Sequence, residues 1–325
     1  MCGLGALGGL PILLWNVQHD WVTFRHTLGH AGLQQGRGLH WEGPAVYLGT
    51  QFALLLGFWF VAWLRAMWTH RPTCELRLEL RYLWWMSLPM LVFFGLFSLK
   101  NGGGEANWPM PAYLSGMVLV AGWLLDELRH PLPWLRRLTA ISTAAFTLLG
   151  LLLTILMHSM LWVQPLLHEV GHALGMRSSP IRRLDPTCRL RGWQHLAKEV
   201  DRIRSELRDA GEEPVLAAGI WNLPGELGFY CDCRPTVYCL GAAFGDRHSQ
   251  YDFWHPSPVA DANVFLGSTF IVVSGNADVL RVAFDEVQPA RLIRYCENGQ
   301  EVNRWCVHVC RGFRGFVAFS SARRY

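Results

Sequence analysis

The sequence predicts a multi-span α-helical membrane domain followed by a small soluble α/β domain. Three observations carry this. Of 325 residues, 51% are hydrophobic and only 17% charged, too apolar a balance for one soluble unit of this length. The charges are unevenly placed: long uncharged runs recur up to residue 167, whereas from residue 177 charges are dense and apolar residues come in short runs. A polar wedge, Lys100-Asn-Gly-Gly-Gly-Glu105-Ala-Asn107, separates two of the apolar runs. Charge held at a membrane boundary is costly unless it serves a purpose.

The uncharged runs cover residues 1–18, 43–64, 82–99, 106–125 and 138–167. All but the first are long enough to cross a hydrocarbon core of about 30 Å, so spans are expected near 43–64, 82–99, 106–125 and 138–160. The membrane domain is then 1–167 and the soluble domain 177–325. The opening run lacks the positive start and small-residue cleavage site of a signal peptide. It reads as the end of a helix whose beginning is missing.

Arginine placement sets an orientation. Arg65, Arg71, Arg77 and Arg81 follow the second run, and Arg129, Arg136 and Arg137 follow the fourth. The alternate segments hold only Arg25 and Arg37 in one and Lys100 in the other. The positive-inside rule makes the arginine-rich segments cytoplasmic. The Lys100–Asn107 wedge and the C-terminal domain then face outward, which in a bacterium is the periplasmic side of the inner membrane. A net charge of +4, spread over both halves, gives no reason to expect nucleic acid. Seven of the nine cysteines lie from Cys188 onward. Their spacing matches no zinc ribbon or finger, which leaves small buried thiols or one or two disulfides.

In the soluble half, Leu196, Val200, Ile203 and Leu207 recur at helical spacing, predicting an amphipathic helix over 192–209 that ends at Gly211. A strand at 214–220, a helix at 224–230, strands at 236–240 and 265–273, and a helical turn at 279–284 follow. Residues 290–296 and 303–319 alternate like a hairpin around Asn298-Gly299. Strands alternating with helices predict a small α/β domain, and no glycine-rich phosphate loop occurs.

His168-Glu169-Val-Gly-His172 matches the H-E-x-x-H pattern, in which two histidines one helical turn apart bind zinc and the glutamate activates water. The longer metzincin pattern places a third histidine where this chain has Ser178, and Asp185 is too near to serve as the distant aspartate of a site-2-type membrane protease. The competing reading is an interfacial helix end. A divalent metal at His168, Glu169 and His172 is the one cofactor the sequence raises, and a membrane-associated zinc metalloprotease the alternative function it carries.

Three segments resemble a known family. Trp15-Asn16-Val-Gln-His19-Asp20-Trp21 leading to His30 is one, and Glu105-Ala-Asn107-Trp108-Pro109-Met-Pro111-Ala-Tyr113 is the second. The third is Asp185 through Trp193, with Gln250-Tyr251-Asp252-Phe-Trp254 further on. Their order and spacing resemble the bacterial dolichyl-phosphate-mannose-protein mannosyltransferase-like membrane glycosyltransferases (glycosyltransferase family 39 and the aminoarabinose transferases, of GT-C type), in their C-terminal portion. The resemblance implies a sugar transferred from a polyprenyl-phosphate donor to a cell-envelope glycan or lipid on the outer face. It also implies many membrane helices and a catalytic carboxylate in the first outward loop. That carboxylate is expected upstream of this sequence. Lys100 suits the lipid phosphate or a snorkelling anchor. Glu105 and Asn107 suit sugar hydroxyls, support of Lys100, or capping of the next helix. His19, Asp20 and His30 suit donor or acceptor contacts, or plain surface polarity. Trp108 and the prolines read as structural, and Trp15, Trp21 and Trp41 as interface aromatics. A non-catalytic envelope module is the remaining reading.

Overall fold

A computed structural model describes residues 7–19, 21–30, 38–73, 77–176, 184–246 and 249–316. Its contacts divide the chain into two compact units that part near residue 155.

The first unit is helical: α1 (Leu10–Gln18), α2 (Val22–His30), α3 (Gly43–Leu54), α4 (Phe58–Thr69), α5 (Leu78–Asn101), α6 (Met110–Glu127) and α7 (Pro133–His158). Among the described residues, α5 and α7 are long and apolar enough to cross a membrane. No residue of α7 is buried, although Phe146 stacks on Phe58 of α4 at 5.0 Å, and a long apolar helix so exposed is suited to lipid. The run 43–64, expected as one span, is two helices bent by 107°. Leu56 and Gly57 adopt positive φ, and the Gly57 N–H turns back to the Phe52 carbonyl at 2.7 Å. The run 106–125 becomes helical only from Met110 and closes on Asp126 and Glu127. Among the described residues, α6 is not one of the helices long and apolar enough to span.

The core of this unit gathers Tyr47 of α3, Trp63 and Met67 of α4, Leu91 of α5 and Tyr113 and Leu119 of α6. Trp63 is fully buried, and its indole N–H donates to Ser87 Oγ at 3.0 Å. Ser87 in turn donates to the Ala112 carbonyl at 2.6 Å. Burying an indole is tolerable because its one polar atom finds a partner.

The second unit begins with α8 (Gln164–Ala173) and α9 (Trp193–Asp209). Then come β1 (Val215–Ala218), α10 (Leu223–Tyr230), β2 (Val237–Cys239), β3 (Phe270–Val273), α11 (Ala277–Ala283), β4 (Phe284–Val287), β5 (Arg291–Glu297) and β6 (Gln300–Phe313). The sheet order is β2-β1-β3-β6-β4, with β5 also on β6. β1 pairs in parallel with β2 and β3, whereas β6 runs antiparallel to β3, β4 and β5.

Side-chain alternation divides the core into two layers. Leu216, Ala218, Ile271 and Val273 meet α9 and α10 on one face. Ala217, Phe270 and Val272 meet Phe265, Leu280 and Phe284 on the other. Successive strand residues point to opposite faces, so central β3 is buried along its whole length. The amphipathic helix falls where its periodicity predicts, burying Leu196, Val200, Ile203 and Leu207. The strand expected over 265–273 is shorter, because residues 262–265 form a 3-10 turn and Gly267 takes positive φ. β4 is an addition that four residues without a clear apolar alternation did not announce. Among the described residues, no disulfide joins Cys231, Cys233, Cys239, Cys296, Cys306 or Cys310. Burial pushes the Cys231 and Cys310 thiols up to about 12, which makes them inert packing residues.

Residues 185–192 form a strap across the β5–β6 hairpin. Arg191 pairs with Asp185 and with Glu297, and the Asp185 side chain has no exposed surface. Asp185 also accepts from the Thr187 N–H at 2.8 Å and the Thr187 hydroxyl at 2.6 Å. Asn303 Nδ2 donates to the Cys188 and Arg191 carbonyls. Gly192, at φ 89°, closes the strap where a Cβ would lie 2.8 Å from the Tyr295 ring.

Replacing Arg191 with Met leaves a buried, uncompensated carboxylate and is expected to cost about 3–5 kcal/mol in denaturant unfolding. Arg191→Lys is expected to recover little, since one ammonium cannot fork to both partners. A second expectation concerns acid. Hydrogen bonds from Arg311, then from Thr269, hold the Glu212 carboxyl below its ordinary 4.5. The folded value lies below the unfolded one, so the pair stabilises fully above pH 4.5 and the gain is lost as pH falls through the lowered value. Glu212→Gln should therefore flatten the acid limb of the stability curve, by about 1 kcal/mol or less for so exposed a pair.

Candidate functional site

The polar turn between α5 and α6 is built by three consecutive glycines. Gly102, Gly103 and Gly104 all have positive φ, a run that side chains would strain. Gly102 terminates α5 in the left-handed region, its N–H returning to the Ser98 carbonyl at 2.9 Å. Lys100 is thereby fixed in the last turn of α5, where a cation is favoured by the helix dipole. Asn101 Oδ1 accepts from the Gly103 N–H at 3.3 Å.

Beneath the turn lies a buried polar network. Gln51 of α3 has no exposed surface, yet its Nε2 donates to the Ala106 carbonyl at 3.1 Å. Its Oε1 accepts from the Tyr113 hydroxyl at 2.8 Å. Both ends of the amide are therefore satisfied, joining α3, the turn and α6. The Tyr47 hydroxyl, also buried, donates to the Leu91 carbonyl at 3.0 Å. The N-terminus of α3 abuts the end of α5: the His40 N–H donates to the Leu99 carbonyl at 2.7 Å, and a Cβ on Gly43 would fall 2.0 Å from the Ser98 oxygen. Trp108 packs on Phe94 and Phe97.

Glu105 and Asn107 are exposed on this turn and Lys100 is half-buried. Neither Glu105 nor Asn107 caps α6: its N-cap is Pro109, and no side chain bonds there. The capping reading is thus set aside, and their side chains project from a turn fixed from below. His19 sits at a different corner, between α1 and α2, stacked on Trp15 at 4.2 Å with Nδ1 2.8 Å from the Trp15 carbonyl. Asp20 lies outside the described residues, and His30 is the last residue of α2. Asn16, fully buried, holds this corner by donating to the Ile12 carbonyl and accepting from the Thr23 N–H. The sequence offered Asn16 as part of a motif and passed over Gln51, although an amide inside an uncharged run was a readable sign of a helix contact.

His168, Glu169 and His172 lie on α8. The two imidazoles face each other one turn apart, Nε2 to Nε2 at 3.3 Å. Glu169 is 81% exposed. Among the described residues, no group of three or more His, Cys, Asp or Glu is arranged to hold a metal ion. Two histidines alone do not complete a zinc site, which needs three protein ligands even when a position stays open. Ser178 lies outside the described residues.

An apolar helical unit with a fixed polar turn, followed by a mixed-sheet unit, points to membrane association. Sequence similarity supports the glycosyltransferase class. Over 166 residues, 49% of this chain, the sequence is 32% identical to the lipid A galacturonosyltransferase RgtD of Rhizobium johnstonii. The chain spans about a third of that relative's length, 32%. No family model matches the chain, and no solved structure matches it.

The Gln51–Tyr113 bond is testable apart from any activity. Gln51→Leu and Tyr113→Phe are each expected to lower stability in detergent micelles by about 0.5–1.5 kcal/mol, the usual worth of an interhelical hydrogen bond. The double variant should fall short of their sum. Strict additivity would show that the two side chains do not act together.

Proposed function

We propose that this chain works as a membrane glycosyltransferase, moving a sugar from a polyprenyl-phosphate donor to a lipid or glycan acceptor of the cell envelope at the outer face. The similarity to a lipid A galacturonosyltransferase carries this reading. That protein's name gives its own sugar and acceptor; for this chain both are left at the level of class.

The chemistry asked of the site is a displacement at the anomeric carbon. The acceptor oxygen forms the new bond, the bond to the donor phosphate breaks, and polyprenyl phosphate leaves with an added negative charge. Lys100, at the end of an apolar helix, supports that departure by placing an ammonium where a lipid phosphate would lie. Glu105 and Asn107 supply acceptors and donors for sugar hydroxyls from a turn that Gln51 and three glycines hold in place. His19, Asp20 and His30 are proposed as further donor or acceptor contacts. The acceptor proton needs a carboxylate base; the family resemblance puts it in a first outward loop, and no residue of this chain is assigned to it. In this proposal the arginine-rich segments lie inside and the sheet unit outside, as the positive-inside rule requires.

The test is sugar transfer in proteoliposomes supplied with labelled polyprenyl-phosphate sugars, using the chain as it stands and an upstream-extended version. Transfer by either form is expected. Lys100→Met should reduce it about tenfold to a hundredfold, the worth of a hydrogen bond to a charged group, with much of the loss in KM for the donor. Absence of transfer from both forms would contradict the proposal.

A further inference from the structure

The second unit holds a crevice of about 1310 Å³, and its position follows from topology. The chain leaves β1 for α10 on one face of the sheet and leaves β3 for α11 on the other. Neighbouring parallel strands whose following loops diverge to opposite faces leave a gap at their carboxyl ends, and open α/β sheets bind ligands in such gaps. Here the gap lies between the loop 219–222 after β1 and the loop 274–276 after β3. Its floor is narrow: a Cβ on Gly219 would lie 2.7 Å from Ser274 Oγ.

The chemistry of the walls is specific. Trp193 and Trp305 line one side, their ring centroids 5.5 Å apart and tilted by 46°. Asn222 and Asp246 line the crevice from the loops after β1 and β2. The exposed side chains of Arg189 and Arg304 stand at its edge. Arg189 Nε donates to the Pro186 carbonyl at 3.3 Å, and Arg304 Nε lies 3.8 Å from Glu301. Aromatic faces suit the C–H face of a pyranose, amide and carboxylate groups suit its hydroxyls, and guanidinium groups suit a carboxylate or phosphate. The loop after β1 reads Gly219-Ile-Trp-Asn-Leu-Pro224, with none of the glycine spacing that cradles a nucleotide's phosphates.

We propose that this crevice binds a saccharide bearing an anionic group, with the sugar ring against Trp193 and Trp305, its hydroxyls on Asn222 and Asp246, and its carboxylate or phosphate on Arg189 and Arg304. The site lies wholly in the second unit and stands whether or not the chain transfers sugar. Anionic saccharide reaches it either as the headgroup of a glycolipid or as a free sugar acid or sugar phosphate.

Calorimetric titration of the full chain in phosphatidylcholine nanodiscs tests this. The probes are galacturonic acid, glucose 1-phosphate, glucose, inorganic phosphate and UDP. Galacturonic acid or glucose 1-phosphate is expected to bind at least tenfold more tightly than glucose or inorganic phosphate. Arg189→Ala and Asn222→Ala, both at exposed positions, should each weaken binding at least fivefold with an unchanged melting temperature. Asp246→Asn, nearly isosteric, provides a third variant. Nanodiscs carrying lipopolysaccharide separate the sources: loss of free-saccharide binding there marks a glycolipid ligand, and retention marks a soluble one, each consistent with the site. No binding of either anionic sugar, UDP binding in preference to both, or affinity unchanged in all three variants would overturn the proposal.

Discussion

Arg191 joins Asp185 and Glu297 with one guanidinium, and the second unit's arrangement around its crevice depends on that bridge. Asp185 is buried, and Arg191 stands beside it as the opposite charge. Glu297 is the meeting point on the hairpin side, accepting also from the Tyr295 hydroxyl at 2.8 Å and from Gln164 at 2.7 Å. The bridge therefore draws three separate stretches together: the start of α8, the strap 185–192 and the β5–β6 hairpin. Gly192 lets the strap close against Tyr295 and Trp305, and α9 begins at the next residue. Trp193 is thus delivered to the crevice wall beside Trp305, and Arg189 to the edge. Electrostatics within the strap and aromatic packing beneath it fix the same geometry.

The first unit solves a related problem in an apolar setting. A polar turn between two apolar helices needs its backbone groups satisfied wherever water is excluded. Gln51, held in place by the Tyr113 hydroxyl, does this from below for the Ala106 carbonyl, while Gly102, Gly103 and Gly104 supply the backbone conformations above. Rigidity of this kind is what a site needs if Lys100, Glu105 and Asn107 are to present fixed charge rather than a mobile loop. In the functional proposal, that fixed charge is what receives the donor phosphate and sugar.

Much of the second unit was legible because its elements carry local signals. Leu196, Val200, Ile203 and Leu207 declare α9, and Asn298-Gly299 declares the hairpin. β4 was not legible, because Phe284-Asp-Glu-Val287 owes its extended form to pairing with β6 rather than to any pattern of its own. The bend at Leu56 and Gly57 was hidden within continuous apolar sequence, where only the glycine differs. The crevice was illegible for a topological reason: Gly219, Asp246, Ser274 and Trp305 meet only once the strands are ordered. Of the site residues, Lys100, Glu105 and Asn107 stood out by charge and polarity, whereas the support from Gln51 required the fold to be seen.

For the proposed sugar transfer at a membrane surface, the most direct measurement is the product in cells. Mass spectrometry of envelope lipids and glycans from cells with the gene and cells lacking it should reveal species heavier by one sugar residue only when the gene is present. A Lys100→Met allele should reduce those species while the protein remains in the membrane fraction. Identical envelope spectra with and without the gene would contradict the account.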